Sequence, residues 1–253
     1  MVYSGWYGKH LPLQMFRLRP NPGSALKVPM RSVAIYDMDK TITRKATWTP
    51  FLIHAAMARA PWRLALLPAA GIASLLYLAR AIDRARLKEV THRLMLGRTI
   101  PPADLEAVAQ AFADSVAASN MFADARKRVE ADRAAGWEPV LATASHGYYA
   151  RAIAARLGIA QVIATEARRD ADGNVLAGIE GENCYGPAKL RLIEAWMARE
   201  GLTRSDLRIR FYSDHVSDAP VLEWADEAFA VNAHGPLRRL AAARGWTVLD
   251  WEG

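Results

Sequence analysis

The chain has 253 residues, with 33 Lys/Arg against 26 Asp/Glu and a formal charge of +7. Hydrophobic residues make up 52% and charged residues 23%, which excludes a disordered or collagen-like chain and allows one large core, or a core carrying an insert. The single cysteine, Cys184, excludes a disulfide framework and a multi-cysteine metal site, and it fits a reducing, cytoplasmic setting.

Residues 1–30 are rich in Gly, Pro and aromatic side chains and lack the pattern of a signal peptide. They read as a loosely ordered arm, with Met30 as an alternative start. Val33-Ala34-Ile35-Tyr36 is an apolar run ending at Asp37 and suits a buried strand. Residues 47–98 are helical in pattern and Ala/Leu-rich, punctuated by Pro61 and Pro68. Residues 64–79 carry no charge. As a helix they would span only ~24 Å, short of the ~30 Å hydrocarbon core of a bilayer. They are therefore not read as transmembrane. Two readings stay open: a helix buried within the insert, or a segment at a membrane surface between Arg59/Arg63 and Arg80/Arg84/Arg86.

Pro101-Pro102 opens a further helix, and another runs over residues 123–135 to Gly136. Strands are then expected at 138–143, 161–164, 208–213, 228–231 and 247–249. Helices are expected at 148–157, 187–200 and 236–243. Asp172-Gly173 marks a hairpin turn. This alternation implies an α/β fold, a Rossmann-like parallel sheet with helices on both faces. The domain division is an arm over 1–30, a core built from 31–43 and 121–253, and an inserted α-helical cap over 44–120.

Charge is unevenly placed. Residues 44–98 hold ten Lys/Arg against Asp83 and Glu89, whereas residues 99–253 hold seventeen bases and twenty-two acids. A positive field of this kind favours an anionic partner such as phosphate or anionic lipid, although a solvated helical surface gives the same composition. With no recognisable binding module, nucleic acid is not expected as a partner.

Ligands collect at the carboxyl ends of parallel strands. Three expected strands end in suggestive residues: Asp37-Met38-Asp39-Lys40-Thr41, Thr143-Ala144-Ser145, and Asp214 with Asp218 four residues on. Lys189 stands near the start of the helix after Gly186-Pro187. Carboxylates brought together repel, and either share a proton or hold a cation. Oxygen donors of this kind suit Mg²⁺. A carboxylate beside such an ion can attack a phosphoryl group, and a second acid can move the leaving group's proton. A hydroxyl and an ammonium neutralise the phosphoryl oxygens. His146 and His215 read as exposed loop histidines, and Cys184 has no evident partner that would make it a catalytic thiol.

The order DxDxT, Thr/Ser, Lys, DxxxD resembles the haloacid dehalogenase superfamily, over residues 31–253. The helical insert directly after DxDxT is similar to that of its phosphoserine-phosphatase-like branch. The resemblance implies that Asp37 is the nucleophile and Asp39 the general acid/base. It implies that Thr143, Ala144 and Lys189 bind the phosphoryl group, with Ser145 as a runner-up for the hydroxyl. It also implies that Asp37, the Asp39 backbone carbonyl and Asp214 hold Mg²⁺, with Thr41 and Asp218 behind them. Asp39-Lys40-Thr41-Ile42-Thr43 also resembles the P-type ATPase signature. That register is set aside because Asp37 directly follows the apolar run.

The sequence departs from the phosphoserine enzymes at three places. Ala46 stands where they carry a substrate-binding glutamate, Ala144-Ser145 replaces a glycine pair, and Ser217 replaces an asparagine. These changes count against phosphoserine. The apolar, basic cap is similar in composition to that of bacterial phosphatidylglycerophosphatases. The expected substrate is thus a membrane lipid phosphate such as phosphatidylglycerophosphate, with peripheral contact between cap and anionic inner membrane face. The alternatives are a small soluble phosphomonoester such as histidinol phosphate, and an aspartyl-phosphate signalling module without turnover.

Overall fold

The computed structural model describes residues 30–252. The arm expected over residues 1–30 falls, but for Met30, outside them. Eight strands form one sheet: β1 (Arg31–Tyr36), β2 (Thr99–Ile100), β3 (Glu138–His146), β4 (Gln161–Arg169), β5 (Val175–Glu180), β6 (Leu207–Ser213), β7 (Glu227–Val231) and β8 (Thr247–Leu249). Their order is β2-β5-β4-β3-β1-β6-β7-β8. The six from β4 to β8 are parallel, and β5 and β2 add antiparallel strands at one edge.

The apolar run of β1 is explained by its place at the sheet's centre. Side chains alternate between faces along a strand, and both faces here are covered. Ala34 and Tyr36 enter one core with residues of α4 (Pro102–Ser119), α5 (Ala123–Ala134) and α6 (Gly147–Ala155). Val33 and Ile35 enter the other with residues of α7 (Pro187–Arg199), α8 (Ala219–Trp224) and α9 (Gly235–Arg244). All four of these β1 side chains are fully buried. The fold is thus the expected Rossmann-like α/β architecture.

Between β1 and α5 lie α1 (Trp48–Arg59), a 3₁₀ turn (Pro61–Leu66), α2 (Leu67–Leu78), α3 (Arg84–Met95), β2 and α4. This segment leaves and returns through one doorway. Arg44 N–H donates to the Asn120 carbonyl at 2.8 Å, and Phe122 N–H to the Ile42 carbonyl at 3.0 Å. The hairpin expected at Asp172-Gly173 joins β4 to β5, with the Asp170 carboxylate accepting from the N–H groups of Asp172 and Asn174.

Several boundaries differ from the sequence reading. β3 continues to His146 and β4 to Arg169, because β4 goes on to pair with β5 beyond the parallel ladder. The two-residue strand β2 carries too little pattern to be seen in sequence. His146 is not an exposed loop residue: it is fully buried against Trp48 and Tyr148. The buried reading of residues 64–79 also fails. In α2 Ala73 alone is buried, whereas Ile72, Leu75 and Leu78 are 60%, 65% and 73% exposed.

Beneath the carboxyl ends of β1 and β6, Tyr36 and Tyr212 pair in register and stack at 4.4 Å. Both hydroxyls donate to the Asp132 carboxylate of α5, which also takes Arg210 at 2.8 Å. Asp132 is 2% exposed, so its removal takes the acceptor from two buried hydroxyls and leaves Arg210 with Glu227 as its remaining carboxylate. Asp132→Ala is expected to lower stability by about 3 kcal/mol, read by urea denaturation.

Candidate active site

The parallel register brings three strand ends together. Asp37 follows the last residue of β1, and its N–H donates to the Tyr212 carbonyl of β6 at 2.9 Å. The chain then turns tightly. The N–H groups of Ile42 and Thr43 both reach the Met38 carbonyl at 2.9 Å, and Lys40 takes the left-handed conformation (φ 64°). The turn carries Asp39 back over the strand ends. Its carboxylate accepts from Thr47 N–H at 2.9 Å, the Thr47 hydroxyl at 2.7 Å and the Ser145 hydroxyl at 3.0 Å.

β3 arrives on one side of β1 and bulges between Thr143 and His146. Thr143 is buried and accepts from Ser145 N–H at 3.1 Å. On the other side, β6 ends at Ser213 and delivers Asp214, whose N–H donates to the Thr41 hydroxyl at 3.0 Å. Thr41 in turn lies 3.4 Å from the Asp37 carboxylate. Lys189 comes from the first turn of α7. Its ammonium donates to Asp37 at 2.7 Å and to Asp218 at 2.6 Å, and Asp218 also accepts from the Ser213 hydroxyl at 2.8 Å.

The sequence-predicted residues Asp37, Asp39, Thr143, Ala144, Lys189, Asp214 and Asp218 all line one cleft of about 200 Å³, and Thr41 lies just behind it. Ser145 is turned away towards Asp39.

Electrostatics sharpen this arrangement. Burial is the first cause that holds Asp37 above the ordinary carboxylate value. Asp218 and Asp214 push the same way against the pull of Lys189. Burial, then Asp218, raises Asp214 to about 6. For Lys189 burial opposes the charge, yet Asp218 and Asp37 carry its pKa above the usual value. Among the described residues no hydrogen bond reaches the Asp214 carboxylate, although the residue is 7% exposed. Three acids around one ammonium leave buried negative charge. Carboxylate oxygens of this kind suit a hard divalent cation such as Mg²⁺.

Sequence reasoning missed a second group of residues. Lys88 of α3 is 6% exposed and reaches across to donate to Asn183 at 2.6 Å and to the Ala144 carbonyl. The Thr165 hydroxyl lies within reach of the same two acceptors, 2.8 Å from the Ala144 carbonyl and 3.0 Å from Asn183, and its single proton can serve one of them at a time. Burial first, then Arg84, lowers Lys88 to about 7. One turn earlier Arg84 lines the cleft and lies over the Tyr185 ring at 4.1 Å. The spacing of Arg84 and Lys88 put both on one helix face, the one signal available in sequence. His215 lines the cleft and stacks on His234 at 4.6 Å, while the latter ring lies 3.0 Å from the Asp214 carbonyl. Cys184 is buried and its thiol is pushed up to about 12 by burial, which suits an inert side chain.

The family model for haloacid dehalogenase-like hydrolases matches residues 34–223. The chain belongs to that family. Protein CicA of Caulobacter vibrioides is 32% identical over 234 residues, covering 90% of this chain and 95% of that protein. A phosphoserine phosphatase of Mycobacterium tuberculosis is 32% identical over 155 residues, covering 61% of this chain and 49% of that protein. The crystal structure of a Bordetella pertussis protein of unknown function is similar at a TM-score of 0.79 and 27% identity, over 87% of this chain and 99% of that one. This chain is an enzyme, a hydrolase, and its fold is similar to that of a phosphoserine phosphatase solved as a phospho-aspartyl intermediate analogue, with a TM-score of 0.57 at 14% identity over 87% of this chain and 93% of that one.

Two predictions follow from the charge balance and the tether. The raised carboxyls bind protons more tightly in the folded chain, so metal-free stability from this source is full below the ordinary 3.8 and fades as pH rises through about 6. Asp214→Asn is therefore expected to raise the melting temperature of the metal-free protein at pH 8, and to show no further rise when Mg²⁺ is added. Lys88→Met is expected to cut phosphomonoester hydrolysis by about tenfold or more while the melting temperature falls only slightly, since the Thr165 hydroxyl still reaches the Ala144 carbonyl.

Proposed function

We propose that this hydrolase is a Mg²⁺-dependent phosphomonoesterase that works through an aspartyl-phosphate on Asp37. The observation that carries the reading is the buried Lys189 ammonium held between Asp37 and Asp218, beside Asp214, whose carboxylate accepts no hydrogen bond among the described residues. In this reading the Asp37 carboxylate attacks phosphorus. A bond forms from its oxygen to phosphorus as the ester P–O bond breaks, and Asp39 gives a proton to the departing alkoxide. Asp39 then takes a proton from the water that attacks the acyl phosphate, which releases phosphate and restores Asp37. Lys189, the Thr143 hydroxyl and the Ala144 N–H hold the phosphoryl oxygens. Asp37, the Asp39 backbone carbonyl and Asp214 would hold Mg²⁺, which supplies charge neutralisation at the phosphoryl group, with Thr41 and Asp218 fixing the acids in place.

Residues 44–120 act as a cap over a core made of 31–43 and 121–253. From the cap, Arg84 and Ala46 line the cleft, Lys88 stands just behind it, and Thr47 holds the Asp39 carboxylate. The leading substrate is a membrane lipid phosphate such as phosphatidylglycerophosphate, met on the inner face of the membrane. Support comes from the cap's composition: residues 44–98 hold ten Lys/Arg against two acids, with no acidic residue between Arg44 and Ile82. The small polar cleft of about 200 Å³ also favours a second reading, a compact soluble phosphomonoester such as histidinol phosphate.

The test is phosphate release with Mg²⁺ across lipid phosphates, histidinol phosphate, phosphoserine and nucleotides. Turnover is expected with lipid phosphates first. Asp37→Asn is expected to abolish release and leave no phosphoryl group on the intact protein by mass spectrometry. A stable phosphoprotein without turnover would favour a signalling module instead, and full activity in Asp37→Asn would overturn the mechanism.

A further inference from the structure

We infer that α2, with the 3₁₀ turn before it, docks in the plane of an anionic lipid bilayer. The proposal concerns a surface and does not depend on which phosphate ester the enzyme cleaves.

Three observations carry it. First, the apolar side chains of this element face solvent. Trp62 is 65% exposed, Ile72 60%, Leu75 65% and Leu78 73%, with Leu67 and Leu76 at 39% and 45%. A monomeric soluble protein rarely leaves so continuous an apolar stretch uncovered. Second, the element is long and apolar enough for a membrane span by length and composition, but it is built of a 3₁₀ piece followed by an α-helix rather than one continuous α-helix, which suits it to lie in a bilayer surface. Residues Pro61–Leu78 have mean hydropathy 1.3 and only 6% of them are buried, and Pro61 and Pro68 break the run into two short helical pieces. Third, cations outnumber acids beside the run. No acidic residue occurs from Arg44 to Ile82, and exposed Arg59, Arg80, Arg84 and Arg86 flank the run in sequence, of which Arg59 pairs with Asp104 at 2.7 Å and Arg86 with Glu89 at 3.2 Å. An interface with a second protein would balance such a rim with mixed charge. A rim of cations around a solvent-facing apolar helix matches the headgroup and acyl boundary of an anionic leaflet.

The covering surface stands close to the chemistry along the chain. After Leu78 the chain reaches Arg84, a cleft-lining residue, within six positions.

The experiment uses the full chain and sucrose-loaded vesicles of phosphatidylglycerol and phosphatidylcholine. Wild-type protein is expected to sediment with anionic vesicles, at least about tenfold less with phosphatidylcholine alone, and less again as salt rises. The double variant Ile72→Glu with Leu75→Glu is expected to lose at least about tenfold in vesicle partitioning. Its melting temperature and its hydrolysis of p-nitrophenyl phosphate should match wild type, because both side chains are exposed. A Leu78→Cys variant supplies an accessible thiol, since Cys184 is the chain's one cysteine and is buried. An environment-sensitive dye there should shift to the blue on adding anionic vesicles. Wild-type protein that stays in the supernatant overturns the proposal, as does a double variant that sediments equally. A dye already shielded in a vesicle-free dimer, with the dimer lost in the double variant, assigns the surface to a second copy and overturns it too. Vesicle binding with no hydrolysis of lipid phosphates would sink the substrate reading while supporting the docking surface.

Discussion

A single ammonium group buried among three carboxylates organises this molecule. Lys189 contacts Asp37 and Asp218 directly, and Asp214 shares the same enclosed space. Burying any of these charges alone would be costly, and removing the cation would leave like charges facing one another. The cluster is satisfied only in part, because one ammonium does not balance three acids. That residual negative potential is what a divalent cation would neutralise, and a phosphoryl group entering beside Lys189 would find positive charge on one side and a carboxylate aligned for attack on the other.

Such a cluster holds only if the strand ends beneath it do not move. The stacked pair Tyr36 and Tyr212, bound through their hydroxyls to Asp132, ties β1 to β6 and to α5 directly under Asp37. The bulge in β3 is fixed from above by Lys88 and from the side by Thr165, which meet at the Ala144 carbonyl. The helical segment therefore acts through a hydrogen bond to the carbonyl of Ala144, the residue expected to cradle the phosphoryl group. This is preorganisation supplied from two directions, by the sheet core and by the inserted helices.

The helical segment divides its labour. α1 and α4 send Phe51, Leu52, Val108 and Phe112 into the core, and α3 sends Lys88 towards the site. α2 does neither, and leaves its leucines outside. Apolar composition was equally compatible with burial and exposure, because the number of leucines in a helix says nothing about what lies opposite them.

The sequence by itself determined the motif order and the fold class. An unbroken apolar run ending in Asp37 has one comfortable home, the middle of a parallel sheet with both faces covered, and the carboxyl end of that strand is where the chemistry collects. Asp39, Thr143, Lys189, Asp214 and Asp218 were legible for the same reason, each following an apolar run or opening a helix. What only the tertiary structure decided are the contacts made between distant parts of the chain: Lys88 on Ala144 and Asn183, Asp132 under the tyrosine pair, His146 inside rather than on a loop, and the antiparallel edge strand β2. Periodicity records which side of an element is apolar, but the identity of the partner on that side is a property of packing, and a two-residue strand has no period to record.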